Sequence, residues 1–235
     1  MSRLFLTGDV HGNPAPRFAA NIFEEGNYLT PEDMVIVLGD FGLYWSPTSS
    51  SHYKAEHSNR MWLNNKRWRT YFIDGNHEGF PVLNEMMKLE WDTLVCNYVM
   101  VDTEFPKIRR LLRGYEYVLN GYTTLAIGGA ASWDKESRVE HISWWKEELL
   151  SHEEEERVLS SCKHYDLVLT HTPPTNIKLK NLYGVTRDEC PVAKFFQFLV
   201  DEKKLTFDKW FYGHMHRNSI IDSYYGLYEN VVEIL

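Results

Sequence analysis

Two pairs of residues, Asp9-Val10-His11 and His214-Met215-His216, each set metal-ligand side chains two positions apart. On extended backbone, side chains at i and i+2 share a face, so each pair can aim at one centre. Between them lie Gly39-Asp40, Gly75-Asn76-His77-Glu78 and His171, each directly after a short apolar or aromatic run. Five strand ends therefore offer carboxylate, amide or imidazole groups. Such a set suits two metal ions and phosphate-ester chemistry, in which paired cations activate water and hold phosphoryl oxygens.

No single motif decides this. Asp9 and His11 could form an Asx-type turn with an exposed imidazole, although Gly8 and Gly12 on either side allow close approach of a ligand. Asp40 follows Val35-Ile36-Val37-Leu38-Gly39, and a carboxylate beside so dry a strand needs a compensating charge, which a metal supplies. The alternative, Asp40 capping a turn, meets Phe41-Gly42-Leu43, a poor helix start. Gly75-Asn76 is a common turn dipeptide, but turn chemistry does not ask for His77. His171 alone would read as a satisfied core histidine, whereas imidazoles at both 214 and 216 are a costly way to build a core. Taken together, the five segments favour metal binding.

These residues must be positioned by strands, and six runs qualify: 4–7, 34–38, 70–73, 124–127, 166–170 and 209–212. Near-continuous apolar runs ended by Gly, Asp or His predict the buried sheets of an α/β fold, with sites at the carboxyl ends of strands. Helices are expected over 16–25, 51–67, 81–88, 141–162 and 191–203, with the acidic run 153–156 on a solvated helix face.

The 235 residues, 43% hydrophobic and 25% charged, carry no repeat or linker that divides them, so one domain over 1–235 is expected. A net charge of −8 disfavours long nucleic acid and anionic membrane as partners. Cys96, Cys162 and Cys190 lack the spacing of a disulfide framework or a thiolate zinc site, which fits a reducing cytoplasm. Leu4-Phe5-Leu6 is too short for a signal peptide, and no run approaches a membrane span.

In order and spacing, Asp9-x-His11, Gly39-Asp40, Gly75-Asn76-His77-Glu78, His171 and Gly213-His214-x-His216 resemble the calcineurin-like metallophosphoesterases, from residue 7 to residue 216. The resemblance implies a four-layer α-β-β-α sandwich with two mixed β-sheets and a dinuclear metal site at the strand C-terminal edges. It assigns Asp9, His11 and His216 to one metal, Asn76, His171 and His214 to the other, and Asp40 to both. His77 would lie beside the metals as the catalytic histidine, and Glu78 matches an acidic position with a structural role.

Two divalent cations, less Asp9, Asp40 and a bridging hydroxide, leave such a site about one unit positive, suited to a phosphate ester. A bridging hydroxide between metals about 3.5–4 Å apart would attack in line while His77 assists the leaving group. Imidazole, carboxylate and amide ligands suit Mn, with Fe, Zn, Ni or Co as alternatives; Mg and Ca prefer an all-oxygen set.

The chain departs from the protein Ser/Thr phosphatases of that superfamily. Asp40 is followed by Phe41-Gly42-Leu43-Tyr44-Trp45 and Glu78 by Gly79-Phe80-Pro81, so both phosphate-gripping arginines are missing. Leu43 also stands where an Asp would orient His77. A substitute grip is expected from the glycine-rich loop 128–138, through Lys135 and Arg138. Tyr44, Trp45, Trp133, Trp144 and Trp145 are either core or a wall for a ring. The leading expectation is a metal-dependent hydrolase of a small or nucleotide-like phosphate mono- or diester. The alternatives are a nuclease or nucleic-acid end-processing phosphatase, served by the basic segments 60–69 and 107–113, and a catalytically silent metal-binding scaffold.

Overall fold

The computed structural model describes residues 2–177 and 190–235, and its strands follow the apolar runs. In chain order they are β1 (Leu4–Thr7), β2 (Met34–Leu38), β3 (Arg69–Ile73), β4 (Met87–Asp92), β5 (Asn97–Asp102), β6 (Ile108–Leu111) and β7 (Tyr115–Leu119). The remainder are β8 (Tyr122–Ile127), β9 (His164–Thr170), β10 (Thr206–Tyr212), β11 (Ser219–Ile221), β12 (Tyr224–Gly226) and β13 (Val232–Ile234). The α-helices are α1 (Ala15–Phe18), α2 (Tyr53–Asn64), α3 (Phe80–Met86), α4 (His152–Ser160) and α5 (Pro191–Asp201).

One sheet has the order β13-β1-β2-β3-β6-β5-β4 and the other β11-β12-β10-β9-β8-β7. The runs β1-β2-β3-β6 and β8-β9-β10-β12 are parallel, while the outer pairs are antiparallel, so both sheets are mixed.

Side-chain alternation sorts the strands into layers. Leu4, Leu6, Ile36 and Leu38 meet Leu167, Leu169 and Phe211 in a core between the sheets. The alternate residues Phe5, Val35 and Val37 face outward onto Phe18, Leu63 and Leu83 from α1, α2 and α3. On the far side, Leu125, Val168 and Trp210 pack against Val158 of α4 and Phe196 of α5. Two buried faces explain why these strands are apolar throughout, and they produce the expected α-β-β-α sandwich. The six strands that precede candidate ligands or the glycine-rich loop, β1, β2, β3, β8, β9 and β10, end at one edge.

Three expected helices are corrected. The segment 16–25 forms only α1 and a 3₁₀ turn at Glu24–Asn27, because the chain leaves the helix at Ala19, whose backbone is extended with φ −64° and ψ 144°. The segment 81–88 stops at Met86; Met87 already pairs with Asp102 in the β4–β5 ladder. The segment 141–162 is helical only in α4, preceded by a 3₁₀ turn at Lys146–Glu148.

What starts α4 so late is a capping box: Ser151 Oγ accepts from Glu154 N at 3.2 Å, and Glu154 Oε2 accepts from Ser151 N at 2.8 Å. Ser151→Ala should remove about 1 kcal/mol and lower the melting temperature by roughly 2–4 °C in a chain of this size. An unchanged melt in scanning calorimetry would show that α4 does not depend on its cap.

Candidate metal centre

Each candidate residue sits just past a strand: Asp9 and His11 after β1, Asp40 after β2, Asn76 and His77 after β3, His171 after β9, His214 and His216 after β10. Four of them have left-handed backbone, with φ of 48° at His11, 46° at Asp40, 62° at His214 and 47° at His216. Non-glycine residues adopt this conformation at a cost, and it clusters where function over-determines the chain. Here main-chain bonds impose it. Asp40 O accepts from Val10 N and His11 N at 3.1 and 2.8 Å, and Gly213 N donates to His171 O at 3.0 Å.

The two carboxylates each use one oxygen to hold a neighbouring strand end. Asp9 Oδ1 accepts from His214 N and Asp40 Oδ1 from His77 N, both at 2.8 Å. The other oxygens turn inward. Asp9 Oδ2 lies 2.9 Å from His216 Nε2, which in turn is 2.9 Å from His11 Nε2. Asp40 faces both ways: Oδ2 is 3.8 Å from His11 Nε2, and Oδ1 is 3.2 Å from His171 Nε2. His171 Nε2 also has His214 Nδ1 at 3.1 Å and Asn76 Oδ1 at 3.2 Å. The result is two ligand-type groups, Asp9-His11-Asp40-His216 and Asp40-His171-His214, that share Asp40.

The donor set fits divalent cations. Asp9 and Asp40 are 1% exposed, and Asp9 Oδ2 makes no hydrogen bond despite its burial. The His216 ring nitrogen 2.9 Å away is not aligned to bond it, which leaves this buried oxygen suited to a cation. His171 Nδ1 donates to Leu38 O at 2.7 Å, which turns the Nε2 lone pair of the neutral ring toward the centre. The backbone leaves no slack around these atoms. A Cβ on Gly39, at φ +90°, would stand 2.1 Å from His171 Nδ1, and one on Gly75 would stand 2.1 Å from Asp40 Oδ1.

The family model for calcineurin-like phosphoesterases matches residues 2–218. The chain belongs to this family. No individual curated protein matches it. As a calcineurin-like phosphoesterase it is a metal-dependent hydrolase acting on phosphate esters.

Protonation in this phosphoesterase opposes metal uptake. Burial disfavours the imidazolium of His171, yet the Asp40 carboxylate outweighs it and pushes the pKa up to about 9. Burial likewise works against ionisation of Asp40, but the facing imidazoles of His171, His77 and His11 hold its pKa well below the usual range. The sign follows: free protein keeps a proton on His171 between the ordinary 6.5 and about 9, and a cation must displace it. Apparent Mn²⁺ affinity should therefore rise with pH across that interval. Calorimetric titrations in several buffers would measure the released proton, and an affinity flat in pH would contradict the assignment.

Around the phosphoesterase centre, His77 is half-buried and Arg138 Nη2 lies 3.1 Å from its Nε2. Arg138 Nε is paired with Asp134 at 2.8 Å, which fixes the approach of the guanidinium. Lys135 goes elsewhere, its ammonium 4.1 Å from the centroid of the Trp144 ring. The glycine-rich loop thus brings one of its two expected cations to His77. Burial lowers the His77 pKa; Asp40 pulls upward and Arg138 adds to the lowering. Leu43, in the place of an orienting Asp, is wholly buried in the outer core.

Glu78 has a structural place. Fully buried, it accepts from Phe41 N at 2.7 Å and Gly42 N at 3.1 Å, which clamps the loop after β2 to the loop after β3. Burial, with Asp40 nearby, pushes its pKa up to about 8.

Two features were not read from the sequence. Ser132 accepts from Asn76 Nδ2 and donates in turn to Glu148. His52 lines a cleft of about 520 Å³ with His11, Gly12, Gly42, Trp45 and His77. Of the aromatics considered for a ring-binding wall, Trp45 lines that cleft with Trp145 edge-on behind it at 5.0 Å, while Tyr44 is core and bonds Asp102 at 2.6 Å.

Proposed function

We propose that this phosphoesterase hydrolyses a small, nucleotide-like phosphate ester. The observation that carries the reading is the cleft of about 520 Å³ that opens beside His11 and His77 with Trp45 on its wall. That volume suits one nucleotide-sized ligand, and an indole face suits a planar ring. In this reading Asp9, His11 and His216 hold one ion, Asn76, His171 and His214 the other, and Asp40 both. Manganese is the preferred metal. Bound there, the ions supply the positive charge that activates water and neutralises phosphoryl oxygens.

The protein's own groups do the rest. Arg138 Nη2 lies 3.1 Å from Nε2 and 3.4 Å from Nδ1 of His77 and can only donate, so a neutral His77 accepts on one ring nitrogen and keeps its proton on the other. His77 then offers an N–H to the leaving oxygen, while Arg138 carries the fixed charge that stabilises the phosphoryl group. Arg138 replaces the arginines missing after Asp40 and Glu78, which sets the chain apart from the phosphoprotein phosphatases.

Long nucleic acid is disfavoured by the net charge of −8 and by where the basic segments point. Arg60 is buried against Tyr44; Arg69 and Arg109 pair with Asp92; Arg113 pairs with Asp74 and Glu154. Three free cysteines suit action in the reducing cytoplasm. No helix among the described residues is long and apolar enough to cross a membrane.

A Mn²⁺-loaded activity screen tests this reading. It should cover aryl mono- and diesters, cyclic nucleotides, dinucleotides, nucleoside phosphates and single-stranded oligonucleotides. Turnover should be greatest on mononucleotide- or dinucleotide-sized esters. Preference for oligonucleotides would replace the reading with a nuclease, and no turnover of any ester would leave a scaffold.

A further inference from the structure

Asn76 is an ambiguous ligand, because the two ends of a carboxamide have nearly the same shape and opposite hydrogen-bonding character. Only the oxygen can bind a cation. Something must hold it inward, and the surroundings of the amide supply it.

Asn76 Nδ2 donates to Ser132 Oγ at 3.1 Å. The Ser132 hydroxyl donates onward to Glu148 Oε2 at 2.6 Å, and Ser132 N donates to Glu148 Oε1 at 2.9 Å. Glu148 O also accepts from Ala130 N at 3.0 Å, so the glycine-rich loop and the 3₁₀ turn are pinned together. Asn76, Ser132 and Glu148 are 4%, 6% and 1% exposed, which leaves little water to rearrange these bonds.

A hydroxyl has one proton, and here the carboxylate takes it. The Ser132 oxygen is left as an acceptor, which only the NH₂ end of Asn76 can satisfy. The amide oxygen therefore faces His171 Nε2, 3.2 Å away. We propose that Ser132 and Glu148 are positioning residues that fix the polarity of the Asn76 amide and so set the affinity of the metal position Asn76 shares with His171 and His214. This inference rests on the metal assignment given under Proposed function.

Glu148→Gln is the informative change, because it keeps shape and reverses polarity. A glutamine keeps only one of the two oxygens that now accept separately from Ser132 N and Ser132 Oγ. Where its NH₂ meets the hydroxyl, the Ser132 proton turns toward Asn76 and favours the flipped amide, with NH₂ toward the cation. Ser132→Ala removes the anchor, and Ser132→Thr retains it.

Titration of the metal-free protein with Mn²⁺, followed by metal content and electron paramagnetic resonance, separates the outcomes. Wild type and Ser132→Thr should take up two equivalents and show a spin-coupled pair. Ser132→Ala and Glu148→Gln should hold one ion as tightly as wild type, show an uncoupled signal, and need roughly 10–100-fold more Mn²⁺ for the second. Circular dichroism and melting curves establish that the variants fold; should Ser132→Ala fail to, Glu148→Gln carries the test. Wild-type uptake by folded Glu148→Gln, or equal weakening of both ions, would overturn the positioning role. A wild-type protein that binds fewer than two ions would overturn the metal assignment itself.

Discussion

Asp40→Asn is expected to lower kcat by at least roughly 10³-fold, about 4 kcal/mol, and to disrupt both metal positions at once. The substitution is deliberately mild. Asn tolerates the left-handed backbone of residue 40, where φ is 46°, and its oxygen can still accept from His77 N. What it removes is the negative charge and one of the two oxygens. Those face different partners, Oδ2 toward His11 at 3.8 Å and Oδ1 toward His171 at 3.2 Å. Substituting Asp9, whose Oδ1 is committed to His214 N, should chiefly affect the His11–His216 group. Metal analysis with turnover of an aryl phosphate checks the contrast. Two Mn²⁺ per chain and full activity in Asp40→Asn would end the shared-ligand assignment.

Arg138→Met should reduce kcat/KM by about 10²-fold, near 2.7 kcal/mol, with two Mn²⁺ still bound. The guanidinium stands 3.1 Å from His77 Nε2, held by Asp134, and touches none of the candidate ligands. Its removal therefore subtracts transition-state charge stabilisation while the metal centre survives. Arg138→Lys should recover little, because an ammonium lacks the planar fork and the geometry set by Asp134. Lys135→Met serves as the control: with its charge over Trp144, it should leave turnover within about twofold. Equal losses from Lys135 and Arg138 would instead point to general disturbance of the loop.

The sequence made the candidate ligand residues legible because each lies at the end of a strand buried on both faces, and such strands are written as uninterrupted apolar runs. It hid β4, which reads Met-Lys-Leu-Glu-Trp-Asp and exposes Lys88 and Leu89. Partly solvated edge strands carry charges that resemble a helix surface. Glu148 was hidden for a related reason. Its neighbours Glu147 and Lys146 look helical, and only the packing of one loop on another turns its carboxylate toward Ser132. Arg138 was accessible as a member of a glycine-rich loop, but residue types alone could not separate it from Lys135. That choice depends on Asp134 and Trp144, which engage the two cations differently.

The two imidazoles in contact at 2.9 Å, His11 and His216, are 205 residues apart in the chain. The Asp9-His11-Asp40-His216 group therefore cannot come together on a growing polypeptide until β10 has emerged and docked beside β9. A nascent chain, or one cut before His216, presents at most part of that group. The same separation means that a cation held there would join the two sheets, since His11 follows β1 and His216 follows β10.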